Sequence, residues 1–331
     1  MENNFCAVIL AGGEGKRMKS EKPKALSEVL FQPMLQWVLD AVRAAGIADI
    51  CVVTGYKKEY IEKYVADLEY PVETVYQAER LGTGHAVMQA RKFIEAHKNG
   101  KVLILNGDAP FMDGETICKA AQFHVDDIQN GCTVITAAID NPTGYGRIIR
   151  KIENSQSTDI LQCIVEEKEA TLEQRLVQEI NSGAMWFQTE ALLNALNQLV
   201  PSEKTGEYYL TDTIEIIRRN GQNVYAFKTD NAEAVLGAND CLQLHQLNET
   251  ARQHILADFM KNGVHIPCTD GVIISKNVRI GKGVTLLPST ILKNGTVIGN
   301  GCTIGPAVLL DCCTIGDNKT IACGCFEKEV L

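Results

Sequence analysis

Residues 5–24, FCAVILAGGEGKRMKSEKPK, decide the fold of the amino-terminal half. An apolar run typical of a buried strand comes first, and the chain then breaks at Gly12-Gly13-Glu14-Gly15. From Glu14 to Lys24 there are five cations and two carboxylates, although the whole chain has a formal net charge of -9. Glycines let backbone N–H groups approach a phosphate chain, and lysine and arginine neutralise it. The pattern predicts a phosphate-binding loop after the first strand, and a solvated basic loop is the alternative.

Two common phosphate loops do not fit this stretch. The dinucleotide fingerprint needs a third glycine where Met18 stands, and the P-loop needs serine or threonine where Arg17 stands. An arginine with a lysine downstream is suited to binding a leaving pyrophosphate. The order Leu-Ala-Gly-Gly-x-Gly-x-Arg-Met, then Lys-Pro-Lys, resembles the signature of the sugar-nucleotidyltransferase superfamily. That superfamily more often has threonine at the position of Lys16.

Length and composition limit the class of protein. A chain of 331 residues with 45% hydrophobic and 22% charged residues predicts about two ordinary globular domains. The pI near 5.3 argues against a nucleic-acid partner, because no extended basic face is available to replace counterions. No apolar run approaches about 18 residues and no basic leader precedes the first strand, so we expect no membrane segment and a cytoplasmic protein. The twelve cysteines include no C-x-x-C pair, and we expect free thiols.

Segments typical of strands and helices alternate as far as a strand at 132–138. This alternation predicts parallel βαβ units whose ligands bind at the carboxyl ends of the strands. Residues 140–147 are a turn-rich crossing into a second half, where 148–165 alternates as a hairpin does. We therefore predict an α/β, Rossmann-like, mostly parallel sheet in a nucleotidyltransferase domain at 1–229, followed by a helical arm at 230–266.

Beyond the arm, the hydrophobic pattern changes to a six-residue period. That period fits neither an α-helix nor a hairpin and is typical of hexapeptide β-helices, in which each aliphatic side chain points inward. We predict a short left-handed parallel β-helix of about three coils at 267–331. The recurring aliphatics, with one deletion before the last two, are Ile274, Ile280, Leu286, Leu292, Ile298, Ile304, Leu310, Ile315 and Ile321.

Two further stretches carry groups suited to binding nucleotides and metals. Gln77-Ala-Glu-Arg-Leu-Gly-Thr-Gly-His-Ala follows the third strand, where an amide and a glycine backbone can read a pyrimidine edge. The alternative is a glycine-rich turn that opens a helix. Asn106-Gly107-Asp108 ends a buried strand, where a carboxylate needs a cation such as magnesium. An N-cap role is the alternative for Asp108.

Together the motifs resemble the bacterial N-acetylglucosamine-1-phosphate uridyltransferases, which form the first half of a bifunctional enzyme. The resemblance runs from residue 6 to about residue 325 and rests on the order and spacing of several motifs. In addition to those above, they are Pro-Thr-Gly-Tyr-Gly-Arg ending at Arg147, Val165-Glu-Glu-Lys168, Glu179-Ile-Asn-Ser-Gly183, Gly206-Glu-Tyr-Tyr-Leu-Thr-Asp212 and Gly237-Ala-Asn239.

The resemblance implies a role for each matching residue. Arg17, Lys24 and Asp108 would be catalytic, and Asp108 and Asn239 would hold Mg²⁺. For Asn239 a simple loop asparagine is the alternative. The nucleotide would be bound by Leu10, Ala11, Gly12, Gly13, Arg17, Lys24, Gln77, Gly82 and Thr83. The sugar would be bound by Asn106, Gly107, Gly146, Glu166 and Asn181.

The implied reaction is Mg²⁺-dependent transfer of a uridylyl group from UTP to N-acetylglucosamine 1-phosphate, giving UDP-N-acetylglucosamine for the cell envelope and pyrophosphate. The resemblance also implies a homotrimer assembled through the β-helix. In the bifunctional family the acetyltransferase residues lie further along a longer β-helix, so we expect no such activity from residues 1–331. Two alternatives stay open: a transferase for another sugar 1-phosphate, and a non-catalytic scaffold that binds sugar nucleotides.

Overall fold

The chain forms two compact units in a computed structural model that describes residues 4–125, 127, 129–153 and 156–331. The first unit comprises Met1–Ser27 and Met34–Asp240, and the second comprises Glu28–Pro33 and Cys241–Leu331. The chain therefore passes between the units after residues 27, 33 and 240. The three-part division at 229 and 266 stays a prediction.

A mostly parallel sheet is the centre of the first unit. In the described residues it has nine strands in the order β5-β4-β1-β6-β10-β7-β11-β9-β8. These strands are β1 Phe5–Leu10, β4 Asp49–Thr54, β5 Glu73–Tyr76, β6 Lys101–Asn106, β7 Asn130–Ala138, β8 Arg147–Glu153, β9 Gln156–Val165, β10 Glu179–Gln188 and β11 Asn223–Lys228.

The strand pairing explains why both faces of this sheet are apolar. Strand β1 pairs in parallel with β4 and with β6, as the βαβ alternation predicted. Successive β1 residues point to opposite faces, so Cys6 and Val8 join one core cluster while Ala7 and Ile9 join the other. Strand β10 runs antiparallel between β6 and β7, and the sequence did not predict it.

Helices cover the two faces of the sheet and supply the buried aliphatics of both clusters. The predicted hairpin of β8 and β9 is present, and residues 154 and 155 lie outside the described residues. The helices are α1 Met34–Ala44, α2 Lys58–Ala66, α3 Thr83–Gln89, α4 Arg91–Ala96, α5 Gly114–Val125, α6 Leu172–Arg175, α7 Thr189–Gln198 and α8 Asp212–Arg219, with 3₁₀ turns at Lys16–Met18, Lys24–Leu26 and Ala232–Val235.

The second unit contains a long helix, a short hairpin and a β-helix. Helix α9, Cys241–Lys261, binds the hairpin of β2, Glu28–Val29, and β3, Gln32–Pro33, because the Asn248 side chain accepts from Leu30 N at 2.9 Å. The β-helix strands are β12 Ile273–Ile274, β13 Arg279–Ile280, β14 Thr285–Leu286, β15 Thr290–Lys293, β16 Val297–Ile298, β17 Thr303–Ile304, β18 Val308–Asp311, β19 Thr314–Ile315, β20 Thr320–Ile321 and β21 Gly324–Glu327.

The hexapeptide period sets the coil geometry. Arg279 pairs with Val297, 18 positions on, whereas Val297 pairs with Thr314, 17 positions on, which is where the sequence repeat loses one residue. Seven of the nine recurring aliphatics are buried, and Ile280 and Ile321 pack partly buried against them. The α/β class and the left-handed parallel β-helix predicted from the sequence are confirmed.

Candidate functional site

The predicted phosphate loop is held at the carboxyl end of β1 by close backbone contacts. Ala11 N donates to Val53 O at 2.9 Å, and Tyr56 N donates to Gly12 O at 3.1 Å. A Cβ atom on Gly55 would lie 2.6 Å from Gly12 O, and one on Gly12 would lie 3.2 Å from Gln77 Oε1. Gly55 is therefore required by the close approach of the Gly12 backbone, and this approach fixes the start of the loop.

A cavity opens beside this loop, and its volume of about 360 Å³ is typical of small-ligand sites. Every residue predicted to bind the nucleotide, except Arg17, lines this cavity. The residues lining it are Leu10, Ala11, Gly12, Gly13, Lys24, Ala25, Gln77, Arg80, Gly82, Thr83, Ala86, Asn106, Asp108, Glu207 and Tyr209.

A larger cavity of about 790 Å³ lies between β9 and α8. None of the predicted site residues is among the described residues that line it. Size alone would select this cavity, but the glycine loops and the convergent charged groups belong to the smaller one. We therefore place the candidate active site in the smaller cavity.

The loop predicted to bind the pyrimidine is fixed by hydrogen bonds on both sides. Gln77 is buried, and its Nε2 donates to Gly82 O at 3.1 Å. Gly82 has φ +100°, and a Cβ there would lie 2.5 Å from Tyr208 O, so glycine is required twice over. Thr83 Oγ1 accepts from Leu210 N at 3.0 Å. The loop is therefore preformed against the 207–210 segment, which explains how Glu207 and Tyr209 reach the cavity.

Lys24, Asp108 and Asn239 meet in one cluster. The Lys24 ammonium donates to Asn239 Oδ1 at 2.7 Å and forms an ion pair with Asp108 Oδ2. The Lys24 and Asp108 side chains are 14% and 26% exposed, so the cluster is partly shielded from water. Asp108 does not cap the following helix, because Asp113 accepts the α5 cap bond from Thr116 N at 2.7 Å.

The oxygens of Asp108 and Asn239 are suited to hold Mg²⁺. Carboxylate and amide oxygens are hard ligands of the kind that Mg²⁺ prefers, and here both already contact one cation, the Lys24 ammonium. Among the described residues no group of three or more His, Cys, Asp or Glu side chains could hold a metal. A site of two protein oxygens fits an ion that usually keeps water and substrate phosphates as its other ligands.

Asn106 lines the cavity, and the other residues predicted to bind the sugar form a second group outside its lining. Asn181 N donates to Gly146 O at 3.0 Å, and a Cβ on Gly146 would lie 3.4 Å from Glu166 Oε1. Asn106 connects this group to the cavity, since a Cβ on Gly183 would lie against its amide nitrogen. Gly107 N donates to Leu10 O at 2.9 Å, which fixes the end of β6 beside β1.

Carboxylates dominate the electrostatics around the sugar residues. Burial, with Glu169 and Asp212 nearby, raises the pKa of the Glu166 carboxyl. The loop before it is fixed by Arg147, a buried residue whose guanidinium pairs with Glu167 at 2.6 Å and donates to Tyr145 O. Glu167 also accepts from Gly144 N at 3.3 Å. Arg147 therefore positions Gly146 and Glu166 together.

Tyr145 links the sugar group to the cluster of Lys24, Asp108 and Asn239. Burial and the charge of Asp108 raise the pKa of its phenol, although a backbone hydrogen bond from Gly237 lowers it. A Cβ on Gly237 would lie 3.0 Å from Asp108 O, so the segment that leads to Asn239 packs directly on Asp108, just after β6.

Arg17 lies outside the lining of the cavity, and its role stays a prediction. It is exposed in the 3₁₀ turn Lys16–Met18. Met18 of the same turn is buried and anchors it. Sequence reasoning also missed Arg80, Glu207 and Tyr209, although each lies inside a recognised motif, because a motif does not say which of its side chains turn inward.

Comparison with known proteins agrees with this geometry. The nucleotidyl transferase family pattern matches residues 6–254, which carry all the site residues. The chain belongs to the nucleotidyl transferase family. A second pattern, the six-repeat bacterial transferase hexapeptide, matches residues 271–306. No helix of the described residues is both long and apolar enough to span a membrane.

This nucleotidyl transferase is similar to curated proteins named bifunctional protein GlmU, as the motif order predicted. It is 42% identical to the one from Acetivibrio thermocellus over 86% of the chain and 60% of that relative. It is 39% identical to the one from Clostridium tetani over 98% of the chain and 67% of that relative. The chain thus spans about 60% of the length of the first relatives.

A solved structure shows the same fold at low identity. It is a Bacillus anthracis protein assigned as a glucose-1-phosphate thymidylyltransferase, with a TM-score of 0.60 and 20% identity. The match covers 75% of this chain and 95% of that protein. At this identity the likeness supports the fold alone.

Proposed function

We propose that this chain transfers a uridylyl group from UTP to N-acetylglucosamine 1-phosphate and releases pyrophosphate. The observation that carries the proposal is the convergence of three parts at one cavity. The glycine loop after β1, the Gln77–Gly82–Thr83 loop and the Lys24–Asp108–Asn239 cluster all meet there. A phosphate loop, a base-reading loop and a metal-suited cluster are what a nucleotidyl transfer requires.

The base and ribose would lie against the preformed loop of Gln77, Gly82 and Thr83. Leu10, Ala11, Gly12 and Gly13 would cradle the nucleotide through their backbone. The Lys24 ammonium would move from the oxygens of Asp108 and Asn239 to the phosphates. The exposed Arg17 would offset charge on the departing pyrophosphate.

Mg²⁺ bound by Asp108 and Asn239 would supply charge neutralisation between the two anionic substrates. The chain itself has to position the reactants, because the phosphate of a sugar 1-phosphate is already a nucleophile and needs no strong base. The acceptor would attack the α-phosphorus in line, and no covalent enzyme intermediate forms. Lys24 changes partners in this scheme. Its ammonium would neutralise phosphate only when Mg²⁺ has replaced it on the oxygens of Asp108 and Asn239.

The sugar would be bound by the second group. Glu166 would accept hydrogen bonds from sugar hydroxyls, and Asn181 would offer its amide to the acetamido group. Gly146 supports this role by its lack of a side chain, since a Cβ there would come within 2.9 Å of Ile164 Cγ2. Asn106 and Gly107 would complete the sugar site at the end of β6.

The test is pyrophosphate release with Mg²⁺ across a panel of nucleoside triphosphates and sugar 1-phosphates. UTP with N-acetylglucosamine 1-phosphate should give the highest kcat/KM. A higher kcat/KM with another pair of substrates would assign the chain to another sugar nucleotide, such as one made from glucose 1-phosphate. Absence of turnover with every pair would refute the enzyme and favour the binding scaffold.

The β-helix supports a proposal about assembly. We propose a homotrimer through residues 272–325, because flat prism faces with a short stack of coils offer surface for side-by-side packing. We also propose the cytoplasm as its compartment, since UTP is available there and all twelve cysteines are free thiols. The absence of acetyltransferase activity in residues 1–331 stays a prediction, and a thiol-release assay with acetyl-CoA tests it.

A further inference from the structure

Arg80 connects the two loops of the candidate site by an ion pair. Its Nη1 lies 2.6 Å from Oε2 of Glu14, and Glu14 is in the phosphate loop. Arg80 itself is in the base loop, between Gln77 and Gly82, and its guanidinium lies over the Tyr56 ring at 5.7 Å from the ring centre. The predicted nucleotide-binding residues include neither member of this pair.

The charges around the cavity show why this ion pair matters. Among the described residues that line the cavity, the cations are Lys24 and Arg80, and the carboxylates are Asp108 and Glu207. Lys24 is paired with Asp108 and Arg80 with Glu14. A triphosphate brings several negative charges into this cavity, so it requires the two cations that Asp108 and Glu14 now neutralise.

Glu14 is placed as a substrate phosphate would be. Its carboxylate accepts from Arg80 and lies 4.0 Å from the Lys16 ammonium, so two cations converge on one anion at the phosphate loop. The Glu14 and Arg80 side chains are 26% and 47% exposed, so water reaches the pair and exchange of partners costs little. A guanidinium also binds phosphate with two parallel hydrogen bonds.

We propose that Arg80 is a further triphosphate-binding residue of this chain, held by Glu14 until the β- and γ-phosphates replace the carboxylate. This inference rests on the proposed function, because it assumes that the cavity takes a nucleoside triphosphate. Arg80 acts on the part of the substrate that leaves as pyrophosphate. Glu14 is then a competitor for Arg80, which gives the two residues opposite effects on binding.

The opposite signs can be measured by calorimetric titration of UTP, UMP and pyrophosphate into the full chain with Mg²⁺. Arg80→Gln should weaken UTP and pyrophosphate binding about tenfold, the lower end for a hydrogen bond between charged groups, and change UMP binding less than about twofold. Arg80→Lys should recover part of the loss. Glu14→Gln should tighten UTP and pyrophosphate binding about threefold, in line with a weak exposed ion pair.

The double variant completes the test. If Glu14 acts through Arg80, the double variant should bind pyrophosphate as weakly as Arg80→Gln alone. The matched control is Arg91→Gln, which removes a partly exposed arginine paired with Glu95 at 3.4 Å outside the cavity. It should leave all three affinities unchanged, and thermal unfolding should show that every variant is folded.

Several results would overturn the inference. Weaker pyrophosphate binding in Glu14→Gln would show that the pair only braces the loops, and equal losses for UMP and UTP would place Arg80 on the base side. If the unaltered chain binds pyrophosphate but not UTP, the choice of nucleotide in the proposed function fails, and the pyrophosphate measurements still decide the role of Arg80. Binding of neither ligand would refute both.

Discussion

Replacing Asp108 with asparagine tests the centre of the proposed mechanism. Asparagine keeps the shape of the side chain and removes one negative charge from a cluster in which the Lys24 ammonium contacts both Asp108 and Asn239. Without the carboxylate, an arriving Mg²⁺ would find two amide oxygens in place of one charged and one neutral oxygen. We expect Asp108→Asn to lose most of the transferase activity.

The magnitude follows from charge and burial. Two unit charges about 4 Å apart interact by about 4 kcal/mol at the effective dielectric typical of sites near a protein surface, which corresponds to roughly 10³-fold in rate. The Asp108 side chain is 26% exposed, so water weakens this interaction. Removal of one preorganised electrostatic contact costs at least about 10²-fold in other enzymes. We therefore expect kcat/KM to fall between about 10²- and 10³-fold.

The assay is steady-state pyrophosphate release over a range of Mg²⁺ concentrations. The matched control is Asp113→Asn, five positions along the chain, where the carboxylate caps α5 and does not line the cavity. Asparagine is also a good N-cap, so the control should keep its activity within about threefold. Near-normal turnover of Asp108→Asn at saturating Mg²⁺ would show that Asp108 neither holds the metal nor contributes to neutralising the phosphates.

Four further predictions follow from the same structure. Arg17→Ala should lower kcat/KM at least about 10²-fold and Arg17→Lys should restore only part, because a point charge cannot replace a bidentate fork; unchanged kinetics would remove Arg17 from the site. Glu166→Ala should raise KM for the sugar phosphate far more than KM for UTP, and equal changes in both would assign Glu166 a structural role. Burial, aided by the charge of Lys101, lowers the pKa of His124 to about 3. Below about pH 6.5 this imidazole therefore takes up a proton in the unfolded chain and stays neutral in the folded chain. As the pH is lowered from 6.5 to 3, the free energy of unfolding should then fall by up to about 1.4 kcal/mol per pH unit because of His124. An identical dependence of this free energy on pH in His124→Gln would contradict the assignment. Light scattering of the full chain should give a trimeric mass, and a monomeric mass would refute assembly through residues 272–325.

The sequence by itself determined the features that depend on local period and backbone geometry. Leu286 and Leu292 belong to a six-residue repeat that only a β-helix can bury, and both are fully buried in its interior. The alternation of strands and helices determined that β1, β4 and β6 run parallel, although not the order in which they lie. Gly82 was recognisable because a close backbone approach and a positive φ restrict a position to glycine whatever the rest of the chain does.

Tertiary structure decided what depends on residues far apart in the chain. Lys24 and Asn239 are 215 positions apart, and their 2.7 Å contact exists because the segment after β1 and the segment after β11 reach the same edge of the sheet. Strand β10 has no local signal that places it antiparallel between β6 and β7. The pairing of Arg80 with Glu14 likewise spans 66 positions. A periodic pattern specifies which face of an element is buried, whereas the partner of a charged side chain is chosen only when the packed core has brought separate loops together.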